Sequence, residues 1–254
     1  MDEEPLLGGN SSRVSRIGGT VRRTAGPWTP TVHALLRRIR DRGVTGVPEP
    51  LGIDELGRES LSFLVGEVAN YPLPRWLWSP AILGDSARLL RRIHDATTGF
   101  RFPDATWQVD AHEPAEVICH NDFAPYNLVF RGVELRGVEL GGVELVGAID
   151  FDTASPGPRV WDLSYLAYRL VPFVGDAGEF APPESDRLGR LKALIDAYGV
   201  HVDRDDLLST MCARLDDLAR FTDARAIETR NDELTDHAAL YRRDATKIRV
   251  LLAS

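Results

Sequence analysis

Between residues 117 and 152 the chain runs through a short apolar stretch, the octet His120-Asn121-Asp122-Phe123-Ala124-Pro125-Tyr126-Asn127, two further apolar runs, and then Asp150-Phe151-Asp152. This ordered set of strand, HxDxxxxN, strand, hairpin, strand and Asp constrains the fold more than any other feature. A lone Asp or a lone HxD would carry little, because Asp is common in loops. Here an Asp and an Asn share one tight loop, and paired strands can bring the end of that loop to the second acidic cluster. Such residues suit phosphoryl transfer. One carboxylate orients or deprotonates a hydroxyl, while an amide oxygen and a second carboxylate offer hard ligands for Mg²⁺ on the phosphates.

An insert separates the two halves of this set. Arg131-Gly132-Val133-Glu134-Leu135, Arg136-Gly137-Val138-Glu139-Leu140 and Gly141-Gly142-Val143-Glu144-Leu145 are three copies of one pentapeptide. Three such short units cannot make a solenoid. They are read as a local duplication that lengthens a hairpin outward.

Ahead of the loop, residues 6–65 read as short strands, one helix, then strands. Gly18-Gly19 is a hairpin signal between Val14-Ser15-Arg16-Ile17 and Thr20-Val21-Arg22-Arg23. Thr29 or Thr31 can cap a helix with Pro30 in its first turn, and Val32, Leu35, Leu36 and Ile39 form its apolar stripe. Residues 47–65 read as further strands, with Asp54-Glu55-Leu56-Gly57 as a turn. A Pro- and aromatic-rich connector at residues 71–78 leads to a helix opened by Ser79-Pro80. After the rigid turn Pro156-Gly157-Pro158 the pattern is helical to the end, with helices near residues 184–198, 204–224 and 231–252. Acidic residues there interleave with basic ones and read as solvated faces.

The octet and the acidic cluster resemble the aminoglycoside phosphotransferase and choline kinase-like family, over roughly residues 7–173. The resemblance implies an α+β, bilobal, protein-kinase-like fold. Residues 1–66 would form a small antiparallel-sheet N-terminal lobe with one helix, holding the nucleotide. Residues 67–254 would form a larger, mainly helical catalytic and substrate lobe. It implies Asp122 as catalytic base, Asn127 and Asp150 as Mg²⁺ ligands, Asp152 as their neighbour and His120 as a structural brace. Asp162 would brace the loop backbone. Asn121 stands where the family commonly has Gly, and Asn also accepts unusual backbone dihedrals. The turn around Asn10 and Ser11 would cover the phosphates, and residues 62–66, with Ser62 and Leu64, would form the hinge for the purine of ATP or GTP.

One departure is marked. Kinases hold the phosphates with a strand Lys, oriented by a helix Glu. The only lysines in this chain are Lys192 and Lys247, so a cation in that role must be Arg. Arg22 aligns best after Thr20-Val21, with Arg23 on the opposite strand face. The helix carries Val32 and His33 where Glu is expected, and His33 is either a partner of the phosphate-holding group or an ordinary surface residue.

Composition narrows the classes. A net charge of −8 disfavours a nucleic-acid partner. Cys119 and Cys212 are too few for a disulfide framework, and Cys119 reads as a small buried residue at a strand end. No uninterrupted apolar run is long enough for a bilayer and the N-terminus lacks a signal pattern, so a cytoplasmic protein is expected. The expected reaction moves the γ-phosphoryl group of ATP or GTP, with Mg²⁺, to a hydroxyl of a small molecule, an aminoglycoside or related antibiotic among the candidates. The alternative is a catalytically silent nucleotide-binding immunity or regulatory protein of the same fold, motivated by the missing Lys and Glu. A hydrolase metal site built from His120, Asp122, Asp150 and Asp152 would leave Asn127 and the front half unexplained.

Overall fold

A computed structural model of the protein describes residues 3–6, 14–132, 142–175 and 177–253. Asn10, Ser11 and most of the pentapeptide insert lie outside the described residues. The chain divides into two compact units, residues 1–71 with 89–158, and residues 72–88 with 159–254.

The first unit is built on a five-stranded antiparallel sheet, in the order β1 (Glu3–Pro5), β2 (Ser15–Ile17), β3 (Thr20–Thr24), β5 (Arg58–Ser62), β4 (Pro50–Ile53). Gly18 turns the β2–β3 hairpin with φ of 58°, a left-handed value that costs glycine little. Helix α1 (Thr29–Asp41) follows β3, with Pro30 in its first turn. Its stripe of Val32, Leu35, Leu36 and Ile39 is at most 1% exposed. At about 1.5–3 kcal/mol per buried side chain of this size, that stripe rather than propensity holds the helix in place. The expected Thr cap is absent, because Trp28 takes the cap position without a side-chain bond. Thr29 instead accepts from the Gly26 amide at 2.9 Å, closing the loop before the helix.

Two smaller sheets complete this unit. β8 (Leu128–Arg131) lies between β6 (Glu67–Val68) and β9 (Glu144–Ala148), and β7 (Val117–Cys119) pairs with β10 (Ser155–Gly157). The expected rigid turn at residues 156–158 therefore begins as a strand that carries the end of the acidic segment back beside β7. Gly46 and Gly147 approach so closely that a Cβ on Gly147 would lie 2.3 Å from the Gly46 carbonyl oxygen. This contact lets the Ala148 amide donate to that oxygen at 2.8 Å, which ties the loop ahead of β4 to β9.

The second unit is helical. It takes the start of α2 (Pro80–Thr97) and all of α3 (Arg159–Leu170), α4 (Arg187–Tyr198), α5 (Arg204–Thr229) and α6 (Asp232–Leu252). Asp162 lies in the first turn of α3 and is fully buried. Asp203 caps α5, accepting from the amides of Asp205 at 2.8 Å and Asp206 at 3.1 Å. α4 ends on Gly199 in the left-handed conformation. Arg190 of α4 donates to the carbonyls of Trp78 at 3.0 Å and Leu170 at 2.9 Å. The acidic residues of α4–α6 sit largely in exposed pairs such as Lys192–Asp196 and Arg249–Asp216, as solvated faces should.

Candidate active site

The octet leaves β7 and closes on itself. His120 is 1% exposed, and its two ring nitrogens have separate tasks. Nδ1 accepts from the Asp122 amide at 3.2 Å, so Nε2 carries the proton and donates to the Ile149 carbonyl at 2.9 Å. His120 also stacks edge-on against Phe123. The ring therefore braces the loop to the segment before Asp150 and has no nitrogen aimed at solvent.

Asn121 takes φ of 64°, the left-handed value its Gly-like place in the loop asks for. Its side-chain amide donates to the Thr153 carbonyl and the Ser155 hydroxyl, each at 2.8 Å. Thr153 returns a bond from Oγ1 to the His120 carbonyl at 3.0 Å. These stitches fix the octet to the acidic segment.

Within the loop, Asp122 is half-buried and both carboxylate oxygens are oriented. Oδ1 accepts from the Tyr126 hydroxyl at 2.6 Å, and Oδ2 accepts from Asn127 Nδ2 at 2.9 Å. Asn127 Nδ2 also donates to the Asp122 carbonyl at 2.9 Å. A hydrogen-bonded carboxylate held in one rotamer is what a positioned base requires. Tyr126 is a functional candidate that reading the sequence missed. Its position one residue before Asn127 on a 3-10 turn was the available signal, since that places it four residues after Asp122.

Asn127 and Asp150 come together despite the insert. Leu128 pairs with Ala148, and the Ile149 amide donates to the Asn127 carbonyl at 2.9 Å. Asp150 itself has φ of 64°, and its side chain is about half exposed. A left-handed value is uncommon for residues other than glycine, and Asp is among those that adopt it most readily.

Arg23 and not Arg22 reaches this acidic pair. Arg22 turns to the other face of β3, where it lies 3.5 Å from Asp54 and donates to its neighbour's carbonyl. Side chains alternate across a strand, so a one-residue choice decides the face. Arg23 is 8% exposed. It donates from Nη1 to Asp150 Oδ1 at 2.8 Å, from Nη2 to Asp152 Oδ1, and from Nε to Glu59 Oε2. Glu59 lies directly across β3–β5 from Arg23 and is 1% exposed. Its other oxygen meets His33 Nε2 at 2.9 Å. His33 is thus a buried residue of the site, not a surface one.

One guanidinium faces three carboxylates, leaving an excess of negative charge. Burial pushes the Asp152 carboxyl up to about 6; Arg23 opposes the rise, and the charges of Asp150 and Glu59 add to it. Glu59 moves the other way. Burial would raise it, but the His33 hydrogen bond and the Arg23 charge hold it below the usual carboxylate value. For Arg23, burial alone would weaken the cation, and Asp152, Glu59 and Asp150 together outweigh it.

A divalent cation fits this donor set. Asp150 is about half exposed and offers hard carboxylate oxygens, the Asn127 side chain carries an amide oxygen and its backbone is bonded to the residue before Asp150, and the surplus of carboxylate charge favours added positive charge. Of the hinge residues, Ser62 is committed to the sheet. Its amide donates to the Glu49 carbonyl at 2.9 Å and its hydroxyl accepts from the Glu49 amide at 2.8 Å. Leu64 lies beyond the end of β5, half-buried.

Known proteins resemble this chain in sequence and in fold. Residues 101–201 match the phosphotransferase enzyme family. The resemblance read from the octet is to this family. A trifolitoxin immunity protein of Rhizobium leguminosarum bv. trifolii is 38% identical over 162 residues, which is 61% of this chain and 57% of that protein. The chain thus spans little more than half the length of that curated relative. Among solved structures, an ethanolamine kinase of Plasmodium vivax superposes with a TM-score of 0.69 at 10% identity, covering 96% of this chain and 82% of the kinase. The GDP complex of aminoglycoside 2'-phosphotransferase-IIIa gives 0.60 at 13% identity, covering 97% and 93%. At such identities the likeness shows the fold, and that fold is the α+β kinase-like one expected.

Proposed function

We propose that this chain is a small-molecule kinase that moves the γ-phosphoryl group of ATP or GTP to a hydroxyl, with Asp122 as the base that orients the acceptor. The observation that carries this reading is the Asp122 carboxylate, fixed at both oxygens by Tyr126 and Asn127, in a loop bonded directly to the residue before Asp150. Asn127 and Asp150 would hold Mg²⁺. The ion, when bound, would offset charge on the donor's phosphates. Arg23 replaces Arg22 as the residue assigned to the phosphates. Its planar fork suits phosphate oxygens as well as the carboxylates it now binds.

The remaining assignments follow from the same reading. Residues 1–66 hold the nucleotide, with Leu64 at the purine hinge. Residues 67–254 carry the catalytic loop and the acceptor site. An aminoglycoside or related antibiotic is one acceptor class, which would make the protein a resistance factor, and a cytoplasmic location suits that role. Among the described residues no helix is long and apolar enough to cross a membrane.

A second reading has specific support. The chain resembles a protein named for immunity, and it has no Lys before Lys192 and no Glu in α1 to serve as kinases use them. On that reading the protein binds nucleotide without turnover. Calorimetry with Mg-ATP and Mg-GTP, followed by a phosphorylation screen over amino-sugars, peptides and amino alcohols, decides between them. Turnover that is lost in Asp122→Ala supports the kinase. Binding with no turnover on any acceptor supports the silent module, and absence of nucleotide binding removes both.

A further inference from the structure

The geometry points to Glu59 and His33 as positioning residues for Arg23: a carboxylate on the neighbouring strand, anchored by a helix histidine, sets the guanidinium that the nucleotide phosphates would meet. This inference rests on the phosphotransfer reading and extends it to residues that reading leaves unused.

Arginine and lysine need different supports. An ammonium on a strand can be oriented by one acid in front of it. A guanidinium has a third donor, Nε, pointing sideways from its stem, and fixing the plane requires a partner on that side. Glu59 stands there because antiparallel register places it opposite Arg23 on the same face of the sheet. With Nε held by Glu59, both terminal nitrogens are directed at Asp150 and Asp152, the acidic pair at the site.

Once a carboxylate occupies position 59, another on α1 would set two like charges together in a buried place. The helix residue must instead donate. His33 does so through Nε2 to Glu59 Oε1 at 2.9 Å, and it is 5% exposed. The absence of a helix Glu and the presence of Arg in place of Lys are therefore one coupled change. Glu59, at 1% exposure, has its two oxygens divided between the two partners, which is how a buried carboxylate is kept charged. Through this chain α1 is linked to the guanidinium, so the position of the helix sets the geometry offered to the phosphates.

Titration of Mg-ATP and Mg-GTP into wild type, Glu59→Gln, His33→Ala, His33→Gln, Arg23→Gln and the Arg23→Gln/Glu59→Gln double variant tests this. Glu59→Gln keeps the side-chain shape and should weaken the nucleotide roughly tenfold, within the range of coupling seen in one ion-pair network. The double variant should bind no more weakly than Arg23→Gln alone, because Glu59 acts only through Arg23. His33→Gln, which retains a donor, should recover affinity lost in His33→Ala. A merely structural role would lower the melting temperature but leave the two losses additive and the Gln rescue absent, and that result overturns the inference. Should Glu59→Gln fail to fold, the His33 pair decides alone. Wild-type protein that binds no Mg-nucleotide overturns the phosphotransfer reading itself, whereas wild-type affinity in Glu59→Gln removes only the positioning role of Glu59.

Discussion

The side-chain amide of Asn127 donates to the carboxylate of Asp122 at 2.9 Å while the backbone carbonyl of Asn127 accepts from Ile149. One residue thus joins the proposed base to the strand end that carries Asp150. Replacing Asp122 with Ala should reduce turnover roughly 10²–10⁴-fold, the range for a positioned acid or base, with nucleotide affinity retained. Steady-state rates on the acceptor found by screening, together with calorimetry, check both halves of that statement. An unchanged rate would remove Asp122 from the chemistry.

Tyr126→Phe isolates the other half of that clamp. The phenol donates to Asp122 Oδ1 at 2.6 Å, and a hydrogen bond to a charged group is worth about 1.5–3 kcal/mol. If this energy serves orientation in the transition state, kcat should fall roughly tenfold or more with little change in nucleotide affinity. A variant with wild-type kcat would make the bond incidental.

Asp150 and Arg23 should separate by what they bind. Asp150→Ala should abolish Mg²⁺-dependent nucleotide binding while the fold persists, because its side chain is about half exposed. Arg23→Ala should instead weaken nucleotide and also lower the melting temperature, since it strands Glu59, which is 1% exposed. Breaking one side of a buried pair costs about 3–5 kcal/mol. Calorimetry with and without Mg²⁺, beside thermal melts, distinguishes the two patterns. An Arg22→Ala variant, on the opposite strand face, should match wild type in nucleotide affinity.

Much of this site was legible because its catalytic loop is contiguous. Asp122 and Asn127 lie five positions apart, and the strand runs around them carry the spacing to Asp150. The α1 stripe was legible for the same reason, since Val32, Leu35, Leu36 and Ile39 repeat at helical spacing and all are buried. The choice between Arg22 and Arg23 was not. In Thr20-Val21-Arg22-Arg23 the alternation that tells inside from outside is broken by two adjacent arginines, and a shift of one residue reverses the face. Glu59 was hidden further. It stands in Arg58-Glu59-Ser60, a stretch that reads as a polar edge, and only strand register places it opposite Arg23. β1 and β6 escaped notice because strands this short carry almost no periodicity.

The thiol of Cys212 offers a check on the helical unit. It is 5% exposed on α5, with its sulfur 3.6 Å from the Ala245 carbonyl of α6. Burial raises its pKa above the ordinary thiol value, with Arg249 opposing and Asp216 adding to the shift. The reactive species is the thiolate, so at pH 8 the native thiol should resist alkylation. Cys212 should react with iodoacetamide only as fast as α5 and α6 open, and mass spectrometry of the Cys119→Ala variant isolates it. Rapid labelling of folded protein would show that the α5–α6 pairing is open in solution.

Stability against acid should carry the signature of Glu59. Its folded pKa lies below the ordinary 4.5, because the bond from His33 and the charge of Arg23 outweigh burial. A carboxylate depressed on folding binds fewer protons in the native state than in the unfolded one. Its contribution is therefore complete above about pH 4.5 and is lost as pH falls through the lower, folded value. Glu59→Gln cannot titrate, so its stability should lie below that of wild type at pH 7, and the gap should close as pH drops below 4.5. Urea unfolding of both proteins between pH 3 and 8 measures that gap directly. A difference that stays constant across the range would mean that folding leaves the Glu59 pKa unchanged. A wild type that loses stability relative to Glu59→Gln as pH rises through 4.5 would mean that the folded carboxyl is neutral, so that its pairing with Arg23 would have to be redrawn as a neutral hydrogen bond.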